Sequence, residues 1–423
     1  MALPCPRTTP MHTLARLASL ALLSTSAATA ASPPAPWVAS WQASPQPVWA
    51  ETFLFPSLVP AHLQGQTFRQ TARLSLGGER LRVRLSNAYG RQPLHIGAAS
   101  VAGAAGQPPQ ALTFDGQAAT RIAPGQARLS DPLALPTADL QAVQVSVHVP
   151  DFTPLHTFHW DGRQTASIGA GNQALAPQFD AAATTTARLF VSGIEVQGRA
   201  GARSVVVIGD SITDGATASL DRDQRWTDHL AARLAPQGVA VVNAGISGGR
   251  LLRDGMGQAA TARFDRDVLE QPGVASVIVL IGINDIAWPG TAFARHQPRP
   301  SLAELQAGYR RLVERAHARG VRILGATLPP FAGALPGTAL DDYYQPDKDA
   351  LRGQLNAWLR HDSPFDAVID LDAALRDPAD PGRMAAALDS GDHLHPGDAG
   401  NRAMAAAVDL QALLPGAVPA ATR

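Results

Sequence analysis

The stretch RSVVVIGDSITDG, residues 203–215, decides the fold of the C-terminal half of this chain. Its four consecutive apolar residues, Val205–Ile208, are typical of a strand that is buried on both faces, as in a parallel sheet. Gly209, Asp210 and Ser211 follow directly, at the point where the strand gives way to a helix. The stretch therefore predicts the first strand of an α/β unit, with a serine at the strand's carboxyl end.

Similar apolar runs recur along the rest of the chain, with helical segments between them. These runs are Val239–Val242, Val277–Ile281, Val321–Leu324 and Ala367–Leu371. Leu302–Ala318 places its apolar residues on one helical face, and Gly320 stands where a C-terminal cap belongs. Strands that alternate with helices form a parallel sheet with helices on both sides. We therefore predict a five-stranded, flavodoxin-like α/β domain over residues 203–415.

The N-terminal half has a different pattern, with short alternating runs between turn residues. The clearest runs are Phe68–Leu76, Leu81–Leu85, Ala142–Val149 and Arg188–Val196. Leu81–Leu85 alternates apolar and charged residues, as in a half-buried strand, and Gly77-Gly78 before it predicts a hairpin turn. Many short strands without an amphipathic helix favour an all-β, sandwich-like domain over residues 37–198. A linker near 197–203 would join it to the α/β domain.

Polar segments follow four of the predicted α/β elements. They are Gly209–Gly215, Asn243–Gly249, Gly282–Asp285 and Gly391–Pro396. The carboxyl ends of parallel strands meet at one edge of a sheet, where open α/β folds place their sites. Hydrolysis of an ester needs a nucleophile, a base, a group that orients the base, and donors for the oxyanion. Ser211, the Asp392-x-x-His395 spacing, the glycines and Asn284 offer one of each.

These four segments resemble the Ser, Gly, Asn and His blocks of the SGNH hydrolases, also called the GDSL family, in order and in spacing. The resemblance covers roughly residues 203–415. It implies that Ser211 is the nucleophile, that His395 is the base and that Asp392 orients His395. It also implies an oxyanion hole formed by the Ser211 N–H, the Gly248 N–H and the Asn284 side chain. Ile212 replaces the leucine of the family's Gly-Asp-Ser-Leu wording, which keeps an apolar side chain there.

The longer wording Gly209–Gly215, together with the β-rich N-terminal half, is similar to a two-domain branch of arylesterases and acylhydrolases. That branch is linked to xylan-degrading bacteria. The similarity points toward acetyl esters of carbohydrates as substrates.

A second serine competes for the role of nucleophile. Gly245–Gly249 matches the Gly-x-Ser-x-Gly elbow of α/β-hydrolases, with Ser247 at its centre. That fold needs more strands before its elbow than the single one present here, and its acid lies well upstream of its histidine. We therefore favour Ser211 over Ser247.

The neighbouring polar residues have simpler interpretations. Asp210, Asp214 and Asp285 are expected to bond backbone groups around their turns, and His393 to be a bystander beside His395. No His-Glu-x-x-His motif is present in the sequence, and we predict neither a metal site nor a cofactor.

Two long loops, 286–301 and 329–345, follow Asn284 and Leu328 and carry aromatic residues. Of these, Trp288, Tyr343 and Tyr344 are the candidate lining of a substrate pocket, since such loops commonly shape binding sites. Packing of the same rings against the loops is an equally good interpretation. In the N-terminal half, His159 and Trp160 either face the site or cover the end of a strand.

Charge and the N-terminal sequence restrict the protein's partners and location. Lys and Arg total 35 and Asp and Glu total 35, so no net basic charge would attract nucleic acid. Arg7 and Arg16 precede an apolar, small-residue run that ends at Ala28-Thr29-Ala30, as in a secretory signal peptide over residues 1–30. The run is too short for a stable membrane span. Cleavage would remove Cys5, the only cysteine, and would leave a periplasmic or extracellular protein without disulfides.

Together these patterns predict an exported serine esterase that acts on small-molecule or polysaccharide-linked esters with short acyl groups. One alternative is a lipase or thioesterase for longer acyl chains. Another is a carbohydrate-binding protein whose hydrolase domain is inactive. No pattern in the sequence specifies an oligomeric state.

Overall fold

A computed structural model describes residues 1–6, 35–103 and 107–415. Among these, the residues from Ala35 onward form one compact unit. Most of the predicted signal peptide, residues 1–30, lies outside the described residues. Within the described ranges, no helix is both long and apolar enough to cross a membrane.

The first half of the unit consists of short strands. They are β1 (Trp37–Gln42), β2 (Gln46–Pro47), β3 (His62–Leu63), β4 (Gln66–Arg73), β5 (Leu81–Ser86), β6 (Leu94–Ile96), β7 (Ala98–Ala102), β8 (Gln110–Ala111), β9 (Thr120–Ile122), β10 (Ala127–Leu129), β11 (Ala142–Val149), β12 (Thr153–Pro154), β13 (Thr157–His159), β14 (Ala166–Ala170), β15 (Ala183–Thr185), β16 (Arg188–Leu189) and β17 (Val191–Gln197).

Two antiparallel sheets dominate this half. One has four strands in the order β1-β17-β5-β10, and the other has six in the order β15-β14-β4-β11-β7-β8. Val83 and Ile194 from the first sheet and Phe68 and Val145 from the second belong to one buried apolar cluster. Two antiparallel sheets that bury their inner faces against each other form a sandwich, as the alternating sequence pattern predicts.

The prediction of a hairpin turn at Gly77-Gly78 is wrong. The strands on either side of it, β4 and β5, lie in different sheets, so the chain crosses the sandwich here instead of folding back. A Cβ on Gly77 would lie 2.1 Å from the Thr137 oxygen, and one on Gly78 would lie 2.4 Å from the Gln197 oxygen. The two glycines are therefore needed because other backbone segments pass close to them. The sequence alone does not distinguish this use of glycine from a turn.

The second half alternates strands and helices. The strands are β18 (Arg203–Gly209), β19 (Val239–Gly245), β20 (Val274–Leu280), β21 (Arg322–Ala326) and β22 (Ala367–Ile369). The helices are α1 (Ser211–Asp214), α2 (Trp226–Leu234), α3 (Ala260–Phe264), α4 (Ile283–Ala287), α5 (Leu302–Ala318), α6 (Pro346–His361), α7 (Leu371–Leu375), α8 (Asp398–Ala407) and α9 (Leu410–Leu413), with a 3-10 turn at Ala235–Gln237 and a π-helical turn at Asp265–Leu269.

The five strands of this half form one sheet in the order β19-β18-β20-β21-β22, and every pair in it is parallel. This is the order of a flavodoxin-like sheet, which confirms the predicted fold class. The direction of strand addition reverses next to β18, and such a switch point leaves a crevice at the carboxyl ends of the strands. Ser211 is the second residue after β18, so it lies at this crevice.

Several contacts join the two halves inside the unit. The Ala39 amide donates to the Pro272 carbonyl over 2.9 Å, and the Val241 amide donates to Ser75 Oγ over 2.7 Å. Ala39, from β1, is buried in the same apolar cluster as the parallel sheet. The division into domains at 37–198 and 203–415 stays a prediction, since both halves belong to one compact unit.

Candidate active site

Ser211 is presented by a sharp turn between β18 and α1. Asp210 caps the helix, with its side chain accepting a hydrogen bond from the Ile212 amide over 3.1 Å. Asp210 is fully buried, and this burial raises the pKa of its carboxyl group to about 7. The hydrogen bond from the Ile212 amide agrees with the role expected of Asp210, which is to bond the backbone of the turn. Ser211 itself is half-buried, with its hydroxyl group on the cleft side.

A loop between α7 and α8 brings His395 against Ser211. His395 Nε2 lies 2.8 Å from Ser211 Oγ, and His395 Nδ1 lies 2.7 Å from Asp392 Oδ2. The other carboxylate oxygen of Asp392 accepts from the amides of Leu394 (3.0 Å) and His395 (2.8 Å). Partial burial opposes ionisation of Asp392, but the hydrogen bonds from the His395 ring and from these amides outweigh it. They hold the pKa of Asp392 well below its ordinary value.

His393 is held away from this contact, as expected of a bystander. Its backbone is left-handed, with φ of 60°, and its Nδ1 lies 2.5 Å from Asp389 Oδ2. The Asp389 carboxylate also accepts from the His393 and Gly391 amides. Two aspartates therefore fix this loop. One of them, Asp392, binds His395, the histidine that faces Ser211.

Gly248 and Asn284, the predicted oxyanion donors, both line the same cleft as Ser211. Asn284 donates one N–H to the Gly249 carbonyl over 2.9 Å, and its carbonyl oxygen accepts from the Tyr343 hydroxyl over 2.8 Å. An asparagine amide group has two N–H donors, so one donor remains for a ligand in the cleft. The two bonds fix the amide plane, since the hydroxyl can donate only to the oxygen end of the group.

Ser247, the competing serine, lies in the cleft lining but bonds a carboxylate. Its Oγ donates to Asp214 Oδ2 over 2.8 Å, and its amide donates to the same oxygen over 2.9 Å. A serine nucleophile needs a base that accepts its proton, usually a histidine at hydrogen-bond distance. In the described part of the chain, the serine that meets this condition is Ser211.

Asp285 has a structural contact of the expected kind. Its two carboxylate oxygens accept from the amides of Leu251 (2.6 Å) and Leu252 (3.0 Å), in the segment that follows the Gly block. Burial raises its pKa to about 6, although these two hydrogen bonds act in the opposite direction. The neighbour of Asn284 thereby ties α4 to the loop that carries Gly248.

The cleft has a volume of about 440 Å³. Apolar and aromatic side chains form most of its lining: Phe55, Trp160, Met256, Trp288, Phe293, Leu335, Leu340, Tyr343 and Leu394. Trp288 and Tyr343, both proposed from the sequence, are among them. Tyr344, the third candidate, does not line the cleft, and its ring packs on Phe331 with centroids 5.3 Å apart. Successive residues of a loop point in different directions, so Tyr343 faces the cleft and Tyr344 does not.

Aromatic rings from both halves of the chain meet at one side of this cleft. The Trp288 and Phe293 rings stack at 4.4 Å, and Phe293 contacts Phe55 at 5.3 Å. Phe55 in turn stacks on Trp160 at 5.6 Å. Of these four, Trp288 was predicted from the sequence to line the pocket. For Trp160 the sequence allowed two positions, at the site or over the end of a strand. Phe55 and Phe293 belong to no sequence motif, so their contact could not be predicted before the fold was known.

This arrangement fits a hydrolytic proton relay. An imidazole that accepts from a serine hydroxyl and donates to a carboxylate activates the serine as a nucleophile. The N–H group of Asn284 and the glycine-rich turn at Gly248 provide donors for a developing negative charge. Among the described residues, no three His, Cys, Asp or Glu side chains are grouped to hold a metal ion.

Comparison with known proteins gives a family for the C-terminal half. Residues 207–403 match the model of the GDSL-like lipase/acylhydrolase family. No curated protein sequence matches the chain.

Several solved structures are similar to about half of the chain. A lipolytic protein of the G-D-S-L family from Desulfitobacterium hafniense is 23% identical, with a TM-score of 0.35 over 48% of this chain and 96% of its own. An acetyl xylan esterase is 20% identical, with a TM-score of 0.35 over 48% and 96%. An acetyl-xylooligosaccharide esterase variant from Geobacillus is 26% identical, with a TM-score of 0.34 over 48% and 91%.

The matched range contains all four polar segments and most of the parallel sheet that carries them. It begins inside β18, four residues before Ser211, and ends in α8, eight residues after His395. The chain therefore carries a GDSL-like lipase/acylhydrolase domain and is a carboxylic ester hydrolase.

Proposed function

We propose that this chain is an exported serine esterase for carboxylic esters with short acyl groups. Ser211 is the nucleophile, His395 the general base, and Asp392 the residue that orients His395. The observation that carries the proposal is the continuous hydrogen-bonded chain from Ser211 Oγ through the His395 ring to Asp392, with steps of 2.8 and 2.7 Å.

In the first half of the reaction, His395 Nε2 takes the proton of Ser211 as Oγ attacks the ester carbonyl. The imidazolium that forms is stabilised by the Asp392 carboxylate, whose lowered pKa keeps it ionised. The same proton then passes to the leaving alcohol, and an acyl-enzyme on Ser211 remains. Asp392 also fixes the ring tautomer, because an ionised carboxylate can only accept a hydrogen bond, so the hydrogen of the neutral ring lies on Nδ1.

The negative charge of the tetrahedral intermediate forms on the former carbonyl oxygen. The Ser211 N–H, the Gly248 N–H and the free N–H of Asn284 are the donors that we assign to it. One such donor contributes roughly 10²–10³ in rate, since it acts in a preorganised and partly dry site. Water, deprotonated by His395, then attacks the acyl-enzyme and releases the acid, and Ser211 regains its proton.

The surroundings of Gly248 favour a small acyl group. A methyl group placed on Gly248 would lie 2.4 Å from Met256 Sδ and 2.9 Å from the Trp288 ring. Both of these side chains are buried, with 3% of each exposed. Little space is thus left beside the proposed oxyanion donors, which suits an acetyl group better than a long chain.

The aromatic side of the cleft favours a ring-bearing alcohol. Phe55 and Trp160 are only partly buried and present stacked rings at the opening. Sugar rings carry apolar C–H faces that pack on such aromatic surfaces. Acetyl esters of carbohydrates are therefore the substrates that we favour, and export rests on the signal-like residues 1–30.

Two measurements test this function on the purified protein. A fluorophosphonate probe should label one serine, and mass spectrometry of the labelled peptide should locate it at Ser211. Absence of serine labelling would favour the alternative of a carbohydrate-binding protein with an inactive hydrolase domain.

The second measurement is a comparison of p-nitrophenyl acetate, butyrate and octanoate, together with acetylated xylo-oligosaccharides. We expect kcat/KM to fall with chain length. A rise toward octanoate would instead support a lipase or a thioesterase. N-terminal sequencing of the protein recovered from periplasm and medium tests the export, which predicts a mature chain beginning near Ala31.

A further inference from the structure

We propose that His159, in the antiparallel half of the chain, is a positioning residue of the hydrolase site. It acts through Asp214 on the loop that carries Gly248. This inference rests on the proposed function, since it assigns a role to the same site. It also gives the N-terminal half a part in the reaction, although that half lies outside the residues that match the hydrolase family.

The link consists of one carboxylate between two partners. His159 Nε2 lies 2.9 Å from Asp214 Oδ1. The other oxygen, Oδ2, accepts from the Ser247 amide at 2.9 Å and from the Ser247 hydroxyl at 2.8 Å. Asp214 thus connects the end of β13 to the residue directly before Gly248.

The histidine end of this link is held at both ring nitrogens. Its Nδ1 lies 2.9 Å from the Ser44 carbonyl oxygen, and its Nε2 faces the Asp214 carboxylate, so both nitrogens face acceptors. His159 and Asp214 are 6% and 4% exposed, so the pair is buried. Removal of one partner from a buried polar pair leaves the other without its hydrogen bond.

Other charged groups surround the pair, and one of them holds the backbone of Asp214. The Arg225 side chain donates to the Asp214 carbonyl over 2.9 Å, which fixes the backbone beside the carboxylate. Arg188, next to His159 in the sheet pairing, is fully buried, and burial lowers its pKa to about 9. Asp228 lies against Arg225 at 3.3 Å. Asp214 is thus held at its backbone by Arg225 while its carboxylate joins His159 to Ser247.

The loop held by this link is anchored from two sides. Asp214 binds it at Ser247, and Asn284 binds it at the Gly249 carbonyl. Gly248, between these anchors, has a left-handed backbone with φ of 69°, so its N–H direction depends on both neighbours. Loss of the Asp214 anchor should let Gly248 rotate. A displacement of about 1 Å of a donor costs on the order of 10² in rate, even when it originates away from the reacting atoms.

Two substitutions at His159 separate positioning from general structure. Asparagine places its amide nitrogen near the position of Nδ1 and keeps the bond to Ser44, whereas glutamine reaches the position of Nε2 and keeps the bond to Asp214. We expect H159N to lower kcat for p-nitrophenyl acetate by roughly 10- to 100-fold with KM within about twofold. H159Q should retain several times more of the wild-type kcat than H159N. A role in stability alone would not favour Gln over Asn in kcat at a temperature where both are folded.

The matched control is H95Q, which breaks the bond of another histidine of the same half to an aspartate, because His95 Nδ1 lies 2.8 Å from Asp151 and glutamine reaches the position of Nε2 instead. Its kcat should equal that of the wild type. Asp214→Ala cuts the link at its middle and provides a second route if H159N does not fold. It should lower kcat in the same way, and H159N in the D214A background should add no further loss.

Ser211→Ala, assayed beside these variants, keeps the two proposals distinguishable. Turnover by S211A would refute the proposed function, whatever the His159 variants do. With S211A inactive, a wild-type kcat in folded H159N or in folded D214A would overturn the role of His159. Equal losses in H159N and H159Q, or additive losses in the double variant, would also overturn it.

Discussion

The hydrogen-bond partner of each serine in this site determines whether that serine can serve as a nucleophile. Ser211 and Ser247 line one cleft, yet one faces an imidazole and the other a carboxylate. Tyr343 is an example of a residue whose role lies in one bond, because its hydroxyl fixes the oxygen end of the Asn284 amide. Tyr343 is 2% exposed, and its burial raises the pKa of the phenol well above the ordinary value. It therefore stays a donor throughout the neutral and alkaline range.

At this scale we predict that Tyr343→Phe lowers kcat by about tenfold, with little change in KM. That loss corresponds to about 1.4 kcal/mol, within the range for one hydrogen bond. Steady-state kinetics with p-nitrophenyl acetate is the measurement, and Tyr344→Phe, which removes the hydroxyl of the adjacent ring, is the control. In an Asn284→Ala background, Y343F should cause no further loss. An undiminished effect there would mean that Tyr343 acts on some other group.

Among the elements, the segments after the parallel strands were predictable because their information is local. The helix Leu302–Ala318 has the predicted bounds, since its apolar period, the Ser301–Glu304 capping box and Gly320 all agree. Asp392 and His395 are three residues apart, so their pairing is also a local property. The contact between His159 and Asp214 joins residues 55 positions apart and the one between Asn284 and Tyr343 joins residues 59 apart, and no sequence period indicates either.

The loop around Gly248 gives a prediction about an element. Gly248→Ala should reduce kcat by more than about 100-fold, because the left-handed φ and the contact with Met256 would both displace the loop. Gly116→Ala is the matched control, with φ of 75° but no atom within 4 Å of an added Cβ. Strain of about 1–3 kcal/mol is expected in each variant and should appear in thermal unfolding.

Kinetics on the two folded variants separates strain from site geometry. G116A should lose stability and keep kcat. If G248A is folded and retains the wild-type kcat, the assignment of its N–H as an oxyanion donor is wrong.

For the whole molecule, buried carboxyl groups link stability to pH. Burial raises the pKa of Asp210 to about 7 and that of Asp285 to about 6, from an ordinary value of 3.8. A raised pKa in the folded state means that folding favours the protonated form. This contribution to stability is complete below about pH 4 and is lost as the pH rises through the folded pKa. Asp210, which shapes the turn at Ser211, therefore stabilises the fold less above about pH 7 than below about pH 4.

Asp210→Asn removes this titration and keeps an oxygen for the Ile212 amide. We predict that the melting temperature of the wild type falls relative to that of D210N between pH 4 and pH 7. The corresponding change in the free energy of unfolding should be on the order of 1.4 kcal/mol per unit of pKa shift. Scanning calorimetry at several pH values measures it.

Asp131→Asn should give the opposite trend at lower pH, since hydrogen bonds from the Gly116 amide and the Thr113 hydroxyl lower the pKa of Asp131. The wild type should lose stability relative to D131N as the pH falls below about 4. Parallel pH curves for the wild type and D210N would show that Asp210 does not titrate in this way.

Our main proposal is that Ser211 is the nucleophile of a Ser-His-Asp esterase. Its most direct test is the steady-state hydrolysis of p-nitrophenyl acetate by the wild type, S211A and S247A, with folding of each checked by thermal unfolding. We expect the turnover of S211A to fall to the background rate. S247A loses one of two bonds from Ser247 to Asp214, and its turnover should fall by less than about tenfold. An active S211A together with an inactive, folded S247A would contradict the triad and place the nucleophile on the neighbouring loop.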